Sequence, residues 1–239
     1  MTLDGLEKVI KESCPRRSKV NFIRYADDFI TTASQKRLLE KNIIPAINEF
    51  LKPRGLMLSP EKTRIVRIDN GVDFLGQHLR KYRNKLITTP TVENEKDFLD
   101  KIRNIIRKSY GLSSQDLIKR LNSVIRGWAN YHMYVQSSRS FSKGDTVLFH
   151  SLMRWARRKH PNKSNGWIVK KYFNNSKRKW VFSCIVKDKN GNKKLFELIK
   201  PSFIKLVKYI KIKGASNPFN PEYTNYFKMR SISSNTCPI

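Results

Sequence analysis

Two adjacent aspartates, Asp27 and Asp28, are the residues whose type and spacing point most directly to chemistry. They lie between residues 20–23 and 29–32, two stretches rich in the Val, Phe, Ile and Thr side chains favoured in β-strands. Two strands joined by a short polar connection predict a β-hairpin with both carboxylates at its tip. Such carboxylates bind Mg²⁺, and two Mg²⁺ ions can hold the attacking and leaving oxygens of a nucleotidyl transfer.

The two carboxylates are not expected to play equal parts. Successive side chains on a strand point to opposite faces, so both can aim at one ion only if the turn twists them. We therefore expect one aspartate to be a direct ligand and the other to support it. The alternative is an acidic turn without chemistry, because Asp is common in turns.

The charge of the chain indicates a polyanionic partner. Its 239 residues include 49 Lys and Arg against 19 Asp and Glu, a formal net charge of +30. Residues 1–90 hold 18 basic and 10 acidic side chains, net +8, whereas residues 91–239 hold 31 and 9, net +22. We therefore predict that the second part is the main nucleic-acid surface.

Other partners and compartments fit the sequence less well. No apolar run approaches the ~20 residues of a membrane-spanning helix, so no membrane partner is expected. The first residues lack a signal-peptide core, which argues against secretion. Three scattered cysteines, Cys14, Cys184 and Cys237, predict free thiols in a reducing compartment rather than a disulfide framework.

The elements that must position the aspartates follow them along the chain. Ser34 is expected to cap a helix that ends at Gly55, and Pro45 should kink this helix or mark its true start. A short strand is expected over residues 64–68, and an Asn-Gly turn after it signals a second hairpin. Residues 88–90 are interpreted as a linker.

Beyond residue 88 the periodicity becomes helical. One apolar stripe predicts a helix that includes Phe98 and Ile106, and Ser113 with Asp116 resembles a capping box for a second helix. A third helix is expected after Asp145, which would complete a small basic bundle. From residue 177, apolar segments on either side of an Asn-Gly turn predict another hairpin.

Ordered motifs along most of the chain resemble those of group II intron-encoded reverse transcriptases, also called maturases. YADD at 25–28 resembles the polymerase active-site hairpin, GLMLSPEKT at 55–63 the following palm motif, and VDFLG at 72–76 the motif joining palm to thumb. LNSVIRGWANY at 121–131, continued by RWARRKHPNKS at 154–164, resembles the intron-binding maturase or thumb region.

The resemblance implies an α+β fold in three parts. Residues 1–88 would be a partial reverse-transcriptase palm of β-hairpins plus a helix, residues 89–176 a basic helical thumb or maturase bundle, and residues 177–239 a small β-containing, DNA-binding-like extension. An intact relative would be an RNA-directed DNA polymerase that also binds its intron RNA and assists splicing. Group II intron RNA and DNA are the implied partners, in a bacterial cytoplasm or an organelle.

Roles of single residues are also implied. Asp27 would be the catalytic metal ligand and Asp28 its catalytic assistant, both towards Mg²⁺. Substrate and primer binding is implied for Tyr25, Lys62, Phe74, Leu75 and Gly76. RNA contacts are expected from positions of the maturase region that are basic or lie off the centre of its apolar stripe: Lys119, Arg120, Arg126, Asn130, Tyr131, Arg157, Arg158, Lys159 and His160.

Plainer interpretations exist for many of these residues. Lys62 could be a solvated turn lysine, Phe74 and Leu75 a core strand end, and the basic run a solvated face. Trp128 lies on the apolar stripe, so we expect it to pack in the core. Tyr172 and Trp180 lie among lysines and arginines, which suits either stacking on single-stranded nucleic acid or core packing.

The sequence departs from the family pattern at both ends. The fingers and the first part of the palm, with the other metal-binding aspartate, have no counterpart, so we expect weak or no Mg²⁺ binding and no polymerisation by this chain alone. Cys237 resembles the opening of the family's first endonuclease Cys pair, and one Cys is not a zinc site. We therefore expect no zinc and no endonuclease activity.

Two alternatives to a reverse transcriptase portion remain. The chain could be an RNA-binding-only, maturase-like protein, which the basic bundle favours. It could also be one half of a split reverse transcriptase, completed in trans by a separately encoded amino-terminal half, because an exposed half-domain would leave apolar surface uncovered.

Overall fold

The computed structural model describes residues 2–187, 191–207, 212–213 and 216–236. The chain folds as two compact units, residues 1–74 and 75–239. Each unit combines helices with small strands, so the fold is α+β, as predicted. The family-based boundaries at 88/89 and 176/177 stay predictions.

In the first unit a short helix precedes the predicted hairpin. Helix α1 spans Leu6–Glu12 and is followed by strands β1, Asn21–Tyr25, and β2, Asp28–Thr32. The strands pair antiparallel, with Tyr25 opposite Asp28 at the tip. The predicted β-hairpin is therefore confirmed.

The helix after the hairpin is divided at Pro45. Helix α2, Lys36–Leu38, continues as a π-helical turn over Leu39–Ile43 and then as α3, Ile44–Leu51. Proline has no N–H to donate to the preceding turn, so it belongs at the start of a regular helix, where the structure has it.

The ends of this helix only partly match the prediction. The N-cap is Gln35 without a side-chain cap bond, so the predicted cap at Ser34 is wrong. The last turn, Lys52–Arg54, ends at Gly55, whose φ of +65° is the left-handed conformation that glycine adopts easily. The buried core of this unit consists of Leu6, Ile10, Cys14, Ile43, Ile47 and Leu51.

The strand predicted over residues 64–68 is wrong, because this stretch forms no ladder in the structure. Its apolar side chains Val66 and Ile68 are 46% and 38% exposed. Their β-branched types favoured a strand, but no neighbouring strand covers them. A short strand β3, Val72–Phe74, follows the turn at Gly71.

The second unit opens with the β4–β5 hairpin. Strands β4, Gln77–Tyr82, and β5, Lys85–Pro90, pair antiparallel along their whole length. Residues 88–90 belong to β5, so their interpretation as a linker is wrong. The two β-branched threonines favour a strand, and Pro90 is tolerated at its last position.

Four helices form the predicted bundle. They are α4, Val92–Lys108, α5, Ser114–His132, α6, Ser138–Lys159, and α7, Asn165–Tyr172. Ser113 Oγ accepts from Asp116 N at 3.1 Å, which confirms the cap of α5. Helix α6 begins seven residues before Asp145, and α7 was not predicted.

The core of the bundle comes mainly from the apolar stripes of α4, α5 and α6. Trp155 is fully buried and donates through Nε1 to Ser109 O at 2.9 Å. The stripes contribute these fully or largely buried side chains: Phe98, Leu99, Ile102, Ile106, Leu117, Leu121, Ile125, Leu148, Leu152 and Ala156.

The carboxy-terminal hairpin packs on the bundle. Strands β6, Ser183–Lys187, and β7, Lys193–Glu197, pair antiparallel, which confirms the predicted hairpin. The side chain of Asn122 on α5 donates to Glu197 O at 2.9 Å and accepts from Ile199 N at 2.8 Å. Helix α8, Thr224–Thr236, is the last described element.

Cys14 and Cys184 are free thiols, as predicted. Residues 237–239, on which the zinc expectation depends, and the Asn of the predicted turn before Gly191 lie outside the described residues. Within the described ranges, no helix combines the length and apolar character needed to span a membrane.

Candidate functional site

The hairpin tip holds both aspartates on exposed positions. Tyr25 and Asp28 are cross-strand partners, which leaves Ala26 and Asp27 as the two-residue connection. Ala26 has a φ of +55°, the left-handed conformation that tight two-residue hairpins use. Asp27 and Asp28 are both exposed. The predicted pair of carboxylates therefore lies at the tip.

The two faces of the hairpin differ sharply. Phe22 and Phe29 share one face, with ring centroids 5.6 Å apart, and pack against the core of the first unit. Asp28 shares the other face with Tyr25 and Ile23, because alternate strand positions point the same way. Tyr25 is 66% exposed and Ile23 60% exposed. The face that carries Asp28 is therefore open.

The two carboxylates alone do not make a two-metal centre. In the part of the chain that the structure describes, no group of three or more His, Cys, Asp or Glu side chains is placed to hold a metal ion. Two Mg²⁺ ions a few ångströms apart require more carboxylate oxygens than Asp27 and Asp28 supply. The residues present do not fit a complete catalytic metal site.

Lys62 lies in an exposed turn of the first unit. The turn is closed by a hydrogen bond from Thr63 N to Ser59 O at 2.9 Å. This position is compatible with a phosphate contact and with a solvated lysine alike. Its substrate role stays a prediction.

The turn between β3 and β4 consists of Leu75 and Gly76, two of the predicted primer-binding residues. Their φ angles are +50° and +70°, so both have left-handed backbone. Tyr131 Oη donates to Leu75 O at 2.5 Å, and Thr91 N donates to Gly76 O at 3.1 Å. The start of α4 and a side chain of α5 thus hold this turn. Phe74 ends β3 and is partly buried.

Asn94 on α4 connects this turn to α5, and the sequence did not reveal it. A Cβ on Gly76 would lie 3.0 Å from Asn94 Nδ2, so only glycine leaves room for that amide. Asn94 Oδ1 accepts from Trp128 Nε1 at 2.8 Å and pairs with His132 Nε2 at 2.8 Å. In the sequence, the sign of this contact was the i, i+4 spacing of Trp128 and His132, which places both rings on the same side of α5.

His132 is fully buried, and burial lowers the pKa of its imidazole to about 4. The ring is therefore neutral near pH 7, and Nε2 carries the proton because the Asn94 oxygen can only accept. Trp128 stacks on Phe98 with centroids 4.0 Å apart and planes 6° from parallel. Trp128 therefore packs against the core of the bundle, as expected.

The predicted RNA-binding residues of α5 lie on its exposed side. Lys119, Arg126 and Asn130 are spaced seven and four residues apart, so they follow one side of the helix, and all three are exposed. Arg120 and Tyr131 occupy the adjacent strip, and Tyr131 is 47% exposed although its hydroxyl is bonded to the turn. We call Lys119, Arg126 and Asn130 the α5 stripe.

The predicted residues at the end of α6 contact other parts of the protein. Arg157 Nε donates to Asn165 Oδ1 at 2.9 Å, and Lys159 Nζ donates to Leu112 O at 2.7 Å. The Arg158 guanidinium lies 5.8 Å from the Tyr110 ring centroid. These side chains help to hold the helices together, and their RNA contacts stay predictions.

His160 is placed as a packing residue. Its Nε2 lies 2.8 Å from Tyr172 Oη, and its ring meets Trp167 nearly at right angles. Partial burial, followed by the charges of Lys171, Lys159 and Lys163, lowers the pKa of its imidazole.

Two family models match the chain. Residues 1–79 match the reverse transcriptase (RNA-dependent DNA polymerase) family, and residues 95–173 match the group II intron, maturase-specific domain. The first match includes the aspartate hairpin, and the second includes α5 with its exposed stripe. The chain thus combines, on a basic α+β fold, a match to the reverse transcriptase family with a match to the group II intron maturase-specific domain.

At the level of its domains, the chain matches the group II intron maturase/reverse transcriptase family. It is 29% identical over 55% of its length to maturase-like protein 1 of Euglena gracilis, and 33% identical over 40% of its length to that of Euglena longa. An uncharacterized 91 kDa protein in the cob intron of Schizosaccharomyces pombe is 24% identical over 92% of the chain.

These alignments cover only part of each relative. The chain spans 27%, 21% and 30% of the length of those three proteins, in the same order.

Proposed function

We propose that this protein binds group II intron RNA through the α5 stripe and assists folding of the intron for splicing. The observation that carries the proposal is the exposure of Lys119, Arg126 and Asn130 on one side of a helix inside the maturase-matched residues. The Lys119 ammonium lies 5.7 Å from the centroid of the Phe196 ring, and the residue is still exposed. An exposed side chain on a basic helix can contact phosphate or an unpaired base.

The test compares the 239-residue protein with its triple variant Lys119→Ala/Arg126→Ala/Asn130→Ala. We measure binding to a group II intron RNA and to an unrelated structured RNA of equal length. The wild-type protein should prefer the intron RNA, and the variant should bind it at least about tenfold more weakly, as expected when phosphate and base contacts are lost together. Equal affinity for both RNAs, unchanged in the variant, would refute the proposal.

A matched control uses basic residues of α4. Lys96 and Lys101 lie on a neighbouring helix of the same domain. The double variant Lys96→Ala/Lys101→Ala removes comparable charge without touching the α5 stripe. Its affinity for intron RNA should fall less than that of the triple variant, whereas an equal loss would indicate a charge effect without a defined interface.

We also propose that Asp27 and Asp28 belong to a reverse-transcriptase active-site hairpin. In this proposal Asp27 is the direct ligand and Asp28 assists it. In the same proposal, the primer or nucleotide contacts Tyr25, Lys62, Phe74, Leu75 and Gly76. Support comes from the match of residues 1–79 and from the place of both carboxylates at an open hairpin tip.

We propose that these 239 residues alone bind Mg²⁺ weakly or not at all and synthesise no DNA, because two exposed carboxylates supply few of the ligands that two Mg²⁺ ions require. The assay is primer extension on an RNA template with Mg²⁺, with Asp27→Ala as the test variant and Glu61→Gln as an exposed acidic control. We expect no extension by any of the three proteins. Extension by wild-type protein and by Glu61→Gln, abolished in Asp27→Ala, would show that the chain polymerises unaided.

A second candidate is a split enzyme completed by another polypeptide segment. The favouring observation is the open hairpin face, where Ile23 and Tyr25 are 60% and 66% exposed next to Asp28. Co-expression with an amino-terminal reverse-transcriptase half should yield a stable complex with Mg²⁺-dependent activity. The double variant Ile23→Asp/Tyr25→Asp should disrupt that complex, and a complex insensitive to it would argue against this face.

DNA is a further proposed partner, supported by the basic segment after residue 176. The proposed place of action is the compartment where such introns are transcribed, a bacterial cytoplasm or an organelle. Binding to duplex DNA and the distribution of a tagged protein in its host test these two points.

A further inference from the structure

Trp180 is the most exposed of the four tryptophans. It is 52% exposed, whereas Trp155 is fully buried and Trp128 stacks on Phe98. Its φ of +61° is left-handed, a conformation that a bulky L-residue rarely adopts without a structural or functional reason. A large apolar ring is thus held in water by a disfavoured backbone.

The surroundings of Trp180 fix the position of its ring. Val181 and Phe182, which follow at once, are buried to 2% exposure. On the other side, Asn175 Nδ2 donates to Lys171 O at 2.7 Å and so holds the start of the loop on α7. The indole lies 5.7 Å from the Phe149 ring, at 85° to it. The ring is therefore placed before any ligand arrives.

Three basic residues directly precede Trp180 in the chain. Lys177, Arg178 and Lys179 precede it and are all exposed. The Arg178 guanidinium lies 4.8 Å from the centroid of Phe203, a second exposed ring, and the Lys200 ammonium lies 5.4 Å from it. Within the described residues no cation lies over the Trp180 ring, so its exposed face is not covered by charge.

We propose that Trp180 is a stacking platform for an unpaired nucleobase, with Lys177 and Lys179 contacting the adjacent phosphates. An exposed aromatic face stacks on any base, and neighbouring cations hold the charged backbone. A paired base is less available, because its faces are already stacked in the duplex. Trp180 lies outside residues 95–173, so this site is additional to the α5 stripe.

The experiment uses the full chain with a short single-stranded oligonucleotide and the duplex of the same sequence. Trp180→Ala should bind the single strand about tenfold more weakly and the duplex unchanged, since one base stack is lost. Trp180→Phe should retain most of the affinity. Phe219→Ala, which removes a 92% exposed aromatic ring elsewhere, should change neither.

An abasic oligonucleotide tests stacking directly. Removing the bases should weaken binding by wild-type protein to the level of Trp180→Ala, and it should not weaken binding by that variant further. Quenching of indole fluorescence by the intact single strand should be largely absent in Trp180→Phe. This measurement keeps the proposal testable if Trp180→Ala fails to fold.

The outcomes are decisive in both directions. Equal losses on single strand and duplex, or no loss on either, would overturn the platform. RNA and DNA versions identify the source of the base: equal affinities indicate recognition of the base alone, and a preference for RNA indicates a contact to the 2′-hydroxyl. Single-strand binding that does not depend on Trp180, together with intron RNA binding that still depends on the α5 stripe, would overturn the platform and leave the proposed function intact.

Discussion

At the scale of single residues, Asn94 shows how one side chain joins several elements. Its carboxamide oxygen takes hydrogen bonds from two rings of α5, and its amide nitrogen lies against the Leu75–Gly76 turn. The sequence gives little sign of this, because an Asn in the first turn of a helix usually faces water. The contact depends on residues 18 to 38 positions away, which only the fold brings together.

We predict that Asn94→Ala lowers the free energy of unfolding by about 2–3 kcal/mol, because Trp128 Nε1 and His132 Nε2 lose their acceptor. Urea denaturation measures this. Asn94→Asp keeps an acceptor for both donors and should raise the pKa of His132 through its negative charge.

The control is Asn104→Ala, an exposed asparagine of the same helix that accepts only from Arg107. Its effect should stay within about 0.5 kcal/mol. A similar loss in Asn94→Ala and Asn104→Ala would show that the Asn94 contacts contribute nothing.

His132 makes stability depend on pH with a defined sign. Burial lowers the pKa of its imidazole to about 4, below the ordinary 6.5, so the unfolded chain binds more protons between these values. The free energy of unfolding should therefore rise from pH 4 to pH 6.5, by up to about 3 kcal/mol, and should be lost again as the pH falls.

Urea melts across this pH range test the dependence. His132→Gln keeps an N–H donor but does not titrate, so the pH profile of this variant should be flatter than that of the wild type. His150→Gln makes the same substitution at an exposed histidine of α6 and serves as the control for the change of residue type. Parallel profiles for wild type and His132→Gln would contradict the assignment.

At the scale of elements, local signals predicted what local interactions decide. The strand–turn–strand pattern around Asp27 and the Ser113–Asp116 cap are confirmed because neighbouring residues fix them. Residues 64–68 look like a strand but have no ladder partner, and residues 88–90 look like a linker but pair in β5. Strand pairing depends on residues that are distant in the sequence, so the local pattern could not predict the structure of either segment.

Gly76 in the Leu75–Gly76 turn and Gly127 in α5 should respond to alanine substitution with opposite changes in stability. Gly76→Ala places a Cβ at a φ of +70° and 3.0 Å from Asn94 Nδ2, so it should destabilise by about 2 kcal/mol. Gly127→Ala adds a Cβ that meets nothing within 4 Å inside a helix, so it should stabilise by about 1 kcal/mol. Thermal or urea unfolding measures both, and changes of the same sign would contradict the geometry.

At the scale of the whole molecule, net charge differs more between the two structural units than between the predicted domains. Residues 1–74 hold 14 basic and 10 acidic side chains, net +4, whereas residues 75–239 hold 35 and 9, net +26. The sequence predicted a basic second part but not its extent. The side chain of Asn122 bonds to Glu197 at the end of β7 and to Ile199 just beyond it, and so joins the last hairpin to the bundle, a contact that no sequence pattern predicts.

This asymmetry predicts where salt sensitivity of RNA binding originates. Each phosphate contact releases counterions, so the slope of log affinity against log salt should become shallower by about 0.7–0.9 for every contact removed. Lys119→Ala/Arg126→Ala should therefore lower the slope by about 1.5. Lys41→Ala/Lys52→Ala removes the same charge from exposed positions of the first unit and should leave it unchanged.

Fluorescence anisotropy of a labelled intron RNA, titrated at several salt concentrations, gives both slopes. Because the two double variants change net charge equally, a general field effect would lower both slopes alike. The two slopes differ only if the phosphate contacts are confined to the second unit. Equal slopes for the two variants would therefore contradict the proposal that the α5 stripe contacts RNA phosphates.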